Sequence, residues 1–362
     1  MIVFEFFQSV LWAGINILNG ASVWLVFSFL LAGMLHEFLS PDKFQRMLGN
    51  RRISSIIKAT VSGMFLPICS CGVIPLGLSM YYSGAYLGPT LAFMTATPVI
   101  NPVALVLSFG LLGPEISIIY MLSGFIVPFV IGIVGNHFGG SELKAPGAEE
   151  NIQARLLESE NDTTWMEKMK SGFHWVLNDM GLVVSKYVII GMLVAGFILT
   201  VFPSSFIQNY LGNPSMLSLG SIAVLAAIMY VCAVGHIPFI AALIASGAAP
   251  GVAITFLMAG AATNLPELIS MYNIMGKRTV IIYSSVVITS SFFIGYIANR
   301  ILLPGFIPVL SFDKVNYSIQ TANKILFTAP EPIKYLCSLI IFGLFLRAIM
   351  PKVKSMLVKE SH

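Results

Sequence analysis

The sequence predicts an all-α polytopic membrane protein with two internal repeats, broken or re-entrant helices and about 8–10 transmembrane segments. Three observations carry that reading. The chain is 57% hydrophobic and only 10% charged, with mean hydropathy +0.87, whereas about a quarter of the residues in soluble domains are charged. Apolar runs long enough to cross a bilayer recur along its length. One stretch also repeats another without a gap. Cys69-Ser-Cys71-Gly-Val-Ile-Pro75 returns as Cys232-Ala-Val-Gly-His236-Ile-Pro238, at an offset of 232 − 69 = 163 residues.

Runs of about 20 apolar residues, the length needed to cross roughly 30 Å of hydrocarbon, lie near 11–38, 56–82, 86–112, 114–135, 181–202, 217–245, 250–275, 279–299 and 331–350. The plain reading is one crossing for each. The first run follows Glu5 rather than a basic n-region, so it reads as an uncleaved span. Basic residues gather at 41–58 (Lys43, Arg46, Arg51, Arg52, Lys58), at Lys277 and Arg278, and in the tail at Lys352, Lys354 and Lys359. With every run crossing and the N-terminus outside, all three groups fall on the cytoplasmic side, as the positive-inside rule requires. The same parity puts the acidic segment 136–180 on the outer face, whereas re-entrant motif segments, or two crossings within residues 1–39, change the parity and put it on the cytoplasmic face. Trp165, Met166, Met169, Phe173 and Trp175 within it predict a short interfacial amphipathic helix.

The chain therefore divides into an N-terminal transmembrane half (1–135), a polar acidic linker (136–180), a C-terminal transmembrane half (181–300), and a last segment (301–362) with an extramembrane part, a final helix and a basic tail. The linker is too short for a soluble catalytic domain. A net charge of +4 orients the chain in the bilayer and implies no nucleic-acid partner. The expected partners are the lipid bilayer and a small-molecule substrate. Four cysteines in apolar segments read as reduced thiols rather than a disulfide framework.

Along the offset, 13 of the 45 positions from 69 to 113 are identical, including Gly72/Gly235, Pro75/Pro238, the Ser-Gly-Ala strings at 83 and 246, and Asn101/Asn264. Duplicated polytopic halves with matched prolines and glycines characterise transporter cores, with the site where the halves meet. Pro67, Gly72 and Pro75 weaken helix around Cys69 and Cys71. The string Thr95-Ala-Thr97-Pro98-Val-Ile-Asn101-Pro102 interrupts a second span. In the other half, Thr263-Asn264-Leu-Pro266-Glu267 does the same and adds a carboxylate. Irregular backbone at membrane depth is tolerated only inside protein or along a cavity.

Thiolates select soft centres such as Cu(I), Zn(II) or trivalent arsenic. Cysteines at i and i+2 share no face of a regular helix, but on unwound backbone both sulfurs of Cys69 and Cys71 can converge on one substrate or metal. Cys232, the mate of Cys69, offers a third sulfur. His236 and Glu267 are ionisable groups in apolar surroundings and so are candidates for proton coupling, while His236 is alternatively a nitrogen ligand. Thr97, Asn101 and Asn264 are candidates to line the substrate site. Each has a bland rival: cysteine is a common small core residue, and the asparagines can serve only to satisfy carbonyls freed by prolines. Cys71 aligns with Val234, Val73 with His236, and Ala104 with Glu267, so half one holds the soft ligands and half two the titrating groups.

The string Pro-Ile-Cys-Ser-Cys-Gly-Val-Ile-Pro at 67–75, followed by Ser83-Gly84-Ala85 and Ala96-Thr97-Pro98-Val-Ile-Asn101-Pro102, closely resembles the YraQ/ArsP-type permeases, whose best-known members expel trivalent organoarsenicals. The resemblance covers both repeats and the linker. It implies a multi-pass plasma-membrane permease without its own ATPase domain, in which Cys69 and Cys71 match the family's paired cysteines. The broader superfamily also includes permeases assigned to copper or zinc. Cys232 and His236 rest on this sequence alone.

The resulting expectation is a non-enzymatic secondary permease, without cofactor, that exports a thiophilic small molecule, with a soft metal ion or a small sulfur-containing anion as alternatives. No Gly-x-x-x-x-Gly-Lys-Ser/Thr string for ATP coupling occurs. An intramembrane thiol oxidoreductase is the rival from another class. It would call for Cys-x-x-Cys in a βαβ setting rather than Cys-x-Cys.

Overall fold

The computed structural model describes residues 2–38, 48–66, 70–147, 165–201, 215–228, 233, 236–237, 240–241, 244, 248–303 and 330–360, and every regular element among them is helical. The first half comprises α1 (Ile2–Phe38), α2 (Ile53–Met64), α3 (Ser70–Tyr82), α4 (Leu87–Val99), α5 (Pro102–Leu111) and α6 (Pro114–Phe138), followed by a 3₁₀ turn at Gly140–Glu142. After the linker come α7 (Trp165–Trp175), a π turn at Val176–Met180 and α8 (Gly181–Val201). The chain continues through α9 (Met216–Ile228), α10 (Pro250–Ala262), α11 (Leu265–Ile274), α12 (Lys277–Leu302) and α13 (Glu331–Glu360).

Local chemistry sets most of these boundaries. Pro102, Pro114 and Pro250 stand at the first turns of their helices, where the missing N–H has no intrahelical acceptor to lose. Gly113 and Gly276 precede α6 and α12 at φ 85° and 116°, a backbone region that glycine enters without a Cβ penalty. Pro75 and Pro98 lie inside α3 and α4. Each deprives the carbonyl four residues earlier, at Cys71 and Met94, of its helical partner.

Three described helices are long and apolar enough to cross a membrane: α6, α12 and the 331–350 part of α13. The pairs α4/α5 and α10/α11, bent by 45° and 40°, raise the number to five if each is one span. In addition, α1 has 37 residues and α8 has 21, more than the 30 Å of a hydrocarbon core at 1.5 Å per residue. Exposed apolar side chains such as Ile118, Leu122 and Ile126 on α6 and Phe293, Ile297 and Ile301 on α12 form faces suited to acyl chains.

The helix bounds recur at the 163-residue offset. α4 maps onto α10 and α5 onto α11 end for end. α2 and α6 map onto α9 and α12 within one residue, and α1 maps onto α7, the π turn and α8 together. The corresponding helices run antiparallel where they touch. Along α1, Gly14 faces Leu193 and Gly33 faces Gly172 and Val176, while Phe6 stacks edge-on against Phe197. The end of α6 meets the start of α12: the Glu142 carboxylate accepts hydrogen bonds from the amides of Arg278 and Thr279, and Gly140 lies against the Arg278 guanidinium.

These contacts change two expectations. The run 56–82 was expected to cross. Instead the Tyr86 amide donates to Leu48 O, Arg51 lies over the Tyr86 ring, and the Tyr81 hydroxyl donates to Glu142 O. The segment holding α2 and α3 thus begins and ends at the same end of the bundle. Hydropathy cannot separate such a hairpin from a span, because both must be apolar. The start of the linker was expected on the face opposite the basic loops. Glu142 sits on Arg278, and Lys144 shares the Tyr86 ring with Arg51, so that end holds the start of the linker together with Arg51 and Arg278. The linker residues Trp165–Trp175 form α7, which packs on α1 and continues through the π turn into α8.

Candidate functional site

Two helix breaks define the candidate site. In the first half, α4 ends at Val99, Ile100 takes φ −113° and ψ 67°, and Asn101 caps α5 with its side-chain oxygen accepting from the Ala104 amide at 2.7 Å. In the second, Thr263 and Asn264 are extended between α10 and α11, and the Asn264 side-chain oxygen accepts from the Glu267 amide at 3.0 Å. A tyrosine closes the carbonyl side of each break. The Tyr120 hydroxyl donates to Val99 O at 2.7 Å, and the Tyr283 hydroxyl donates to Ala262 O. At both breaks the last carbonyl of the incoming helix and an amide of the first turn of the next are thus satisfied within the protein, as membrane depth requires.

The helices leading to the breaks come from opposite ends. α4 starts beside the linker, where the Leu87 amide donates to Leu143 O, and its Gly88 amide donates to the Asn136 side chain at 2.9 Å. α10 starts at the other end, with the Gly251 amide on the Asn299 side chain at 2.7 Å, near the end of α12. Glycine is needed at both starts, because an added Cβ would collide with Gly132 O at Gly88 and with Gly295 O at Gly251. Each approach helix has 13 residues, about 20 Å at 1.5 Å per residue. Their C-terminal ends therefore meet inside the bundle, where the side chain of Thr95 on α4 interacts with Tyr283 on α12.

Glu267 lies at this meeting point and is fully buried. Its Oε2 accepts from Asn264 Nδ2 at 3.3 Å and its Oε1 lies 3.3 Å from the Tyr283 hydroxyl. No described Lys or Arg forms an ion pair with it. A buried carboxyl held by polar neighbours rather than a cation is costly to retain, and at membrane depth it reads first as functional. Its counterpart at the first break is Ala104, so the chemistry of the two breaks differs although their backbone wiring matches.

The other expected residues are distributed around this centre. Thr97 is buried, donates to Phe93 O at 2.8 Å and sits against Gly63, at the contact of α4 with α2. Asn101 also reaches back, with Nδ2 3.5 Å from Pro98 O, and so does the carbonyl-satisfying work that was its bland reading. His236 is half-buried and helical, with its ring centroid 6.0 Å from that of Phe256 on α10. Cys69 and Cys232 lie outside the described residues. Cys71 opens α3, which packs against both α4 and α11, and its side chain is outside the described set. Among the described residues no three His, Cys, Asp or Glu side chains converge as metal ligands.

The two tyrosines and the Asn136/Asn299 pair are the residues sequence reasoning missed. A signal for them exists. The gapless register continues past residue 113 through Ile119/Ile282, Tyr120/Tyr283, Phe129/Phe292, Gly132/Gly295 and Asn136/Asn299. Nothing in the sequence pairs Thr95 with Tyr283, which meet only through the packing of the two halves.

The family model ArsP_1, described as "Predicted permease", matches residues 6–300. Among its relatives, the chain is 26% identical over 333 residues to UPF0718 protein MJ0584 of Methanocaldococcus jannaschii, covering 77% of this chain and 91% of that protein. It is 25% identical over 277 residues to UPF0718 protein YcgR of Bacillus subtilis, covering 74% and 88%. With UPF0718 protein YraQ of Escherichia coli it shares 20% over 281 residues, covering 76% and 78%. No solved structure matches the chain.

Proposed function

We propose that this chain, which belongs to the ArsP_1 family of permeases, is a secondary permease that exports a thiophilic small molecule, a trivalent organoarsenical, in exchange for protons. It is a multi-pass membrane protein. One observation carries the proposal furthest. Helix α3, which bears Cys71, packs against α11, which bears the buried carboxyl of Glu267, so the soft-ligand segment of one half adjoins the titrating segment of the other. In this reading the arsenical exchanges its ligands for the sulfurs of Cys69 and Cys71, with Cys232 as a third thiol. Thr97, Asn101 and Asn264 line the path, and Glu267 and His236 carry the proton.

The same proposal includes two inverted halves. The offset of helix bounds and the antiparallel course of α1 against α7–α8 and of α6 against α12 support it. Crossings by α1, α4–α5, α6, α8, α10–α11, α12 and α13, with the α2–α3 hairpin returning to its own side, bring the three basic groups and the linker to one face. The positive-inside rule makes that face cytoplasmic. Inverted halves with broken helices meeting at the midplane suit alternating access around a central site.

The test is export in a host sensitive to methylarsenite. The wild type is expected to restore growth, and the double variant Cys69→Ser, Cys71→Ser to fail. A double variant that protects as well as the wild type removes the thiol mechanism. A small sulfur-containing anion is the second reading, because the N-termini of α5 and α11 both open at the breaks and favour negative charge. Uptake by proteoliposomes of thiosulfate, with Cu(I) as the metal comparison, distinguishes it from arsenical export.

A further inference from the structure

Tyr283 holds the decisive position at the second break, and its hydroxyl has one proton for two acceptors. The nearer is Ala262 O, the last carbonyl of α10, and the other is Glu267 Oε1 at 3.3 Å. Tyr120 occupies the same position at the first break and donates to Val99 O, with Ala104 standing where Glu267 would be.

We propose that Tyr283 is a positioning residue that ties the proton on Glu267 to the helix break at Thr263–Asn264. When Glu267 carries a proton, its O–H donates to Tyr283 Oη, and the tyrosine is left to donate to Ala262 O. The tyrosine hydroxyl lies closer to the Ala262 carbonyl than to the Glu267 carboxyl, within hydrogen-bond reach of both. When Glu267 gives its proton to water, the carboxylate becomes an acceptor only and draws the tyrosine proton to itself. Ala262 O then loses its partner, and the end of α10 is released. A buried carbonyl without a partner is costly, so the break moves to find one, and the movement follows the proton. The Thr95 side chain, which meets Tyr283 from α4, carries the change to the other half.

The titratable and charged groups on the elements packed against α11 are few. α8 offers Lys186 and Tyr187, α3 offers Cys71, Tyr81 and Tyr82, and α12 offers Lys277, Arg278, Tyr283, Tyr296 and Arg300. Of their described side chains, only Tyr283 bonds to the Glu267 carboxyl.

This inference rests on the proposed role of Glu267 in proton coupling, but its test needs no substrate. Hydrogen–deuterium exchange of peptides covering 259–268 is followed in the full chain in detergent at several pH values, comparing the wild type, Glu267→Gln, Tyr283→Phe and Tyr120→Phe at each pH so that intrinsic exchange cancels. In the wild type these amides are expected to exchange like those of Glu267→Gln at low pH and about fivefold faster at high pH, the loss of one buried hydrogen bond. Glu267→Gln stays protected throughout. Tyr283→Phe exchanges fast throughout. Tyr120→Phe, which tests whether losing any tyrosine at a break has the same result, keeps the wild-type pH response at 259–268.

A wild type whose excess exchange over Glu267→Gln does not change with pH overturns the proposal, as does a Tyr283→Phe variant that keeps the wild-type pH response. If Tyr283→Phe does not fold, Glu267→Gln against the wild type still decides. If the exchange pattern is as expected but methylarsenite flux ignores a pH gradient, the switch stands and proton-coupled export of that substrate fails.

Discussion

Asn101 and Asn264 occupy matched positions, and their side chains cap α5 and α11 in the same way. Replacing either by alanine removes one N-cap and is expected to lower stability by about 1 kcal/mol, read as a reduced midpoint of thermal unfolding in detergent. The two variants are expected to part in transport. Asn264→Ala also removes a hydrogen bond from Glu267 and is expected to alter the pH dependence of transport, whereas Asn101→Ala leaves that dependence as in the wild type. Equal pH profiles for the two would show that Asn264 is only a cap. The sequence offered both asparagines and Glu267 as candidates because they interrupt apolar runs beside prolines. It did not offer Tyr283, since a tyrosine in an apolar helix is compositionally ordinary and its role depends on an acceptor 21 residues earlier in the chain.

At the scale of elements, α4 lies against α6 and α10 against α12 through glycine contacts backed by an asparagine clamp. Close backbone approach through small residues is the usual basis of helix association in lipid, where burial of apolar surface gives little advantage. Gly88→Ala and Gly251→Ala are therefore each expected to cost about 1–3 kcal/mol through overpacking, seen as a lower yield of monodisperse protein on size exclusion and a lower unfolding midpoint. Glycines on open ground, such as Gly343, are expected to accept alanine without loss. The broken helices at Pro98–Pro102 and Thr263–Pro266 were legible from proline and asparagine alone, because those residues act within one turn of themselves. The hairpin of α2 and α3 was legible only as one of two alternatives, a re-entrant segment or a span, because what separates them is the hydrogen bond between Tyr86 and Leu48, a contact between its two ends.

For the whole molecule, the contacts of Glu142 and Lys144 with the basic loops place the start of the linker and residues 276–278 at one end, and the far end of α12 opposite. A cysteine introduced at Gly147 is expected to be shielded from a membrane-impermeant maleimide in intact cells, and one at Leu303 to be labelled, each measured against the wild-type chain. The reverse pattern would invert the topology, and equal labelling would refute it.

The sequence by itself determined that this is a helical membrane protein of a permease family, where its helices break, and which polar residues sit at the breaks. Those properties follow from composition, from proline and asparagine chemistry and from a register that repeats, all of which act locally or additively along the chain. Only the tertiary structure decided that the matched helices run antiparallel, that α2 and α3 return to their own side, and that Tyr283 stands between Glu267 and the end of α10. Direction and contact are relations between segments far apart in the chain. Hydropathy, which is the same for a helix read upward or downward, holds no record of them.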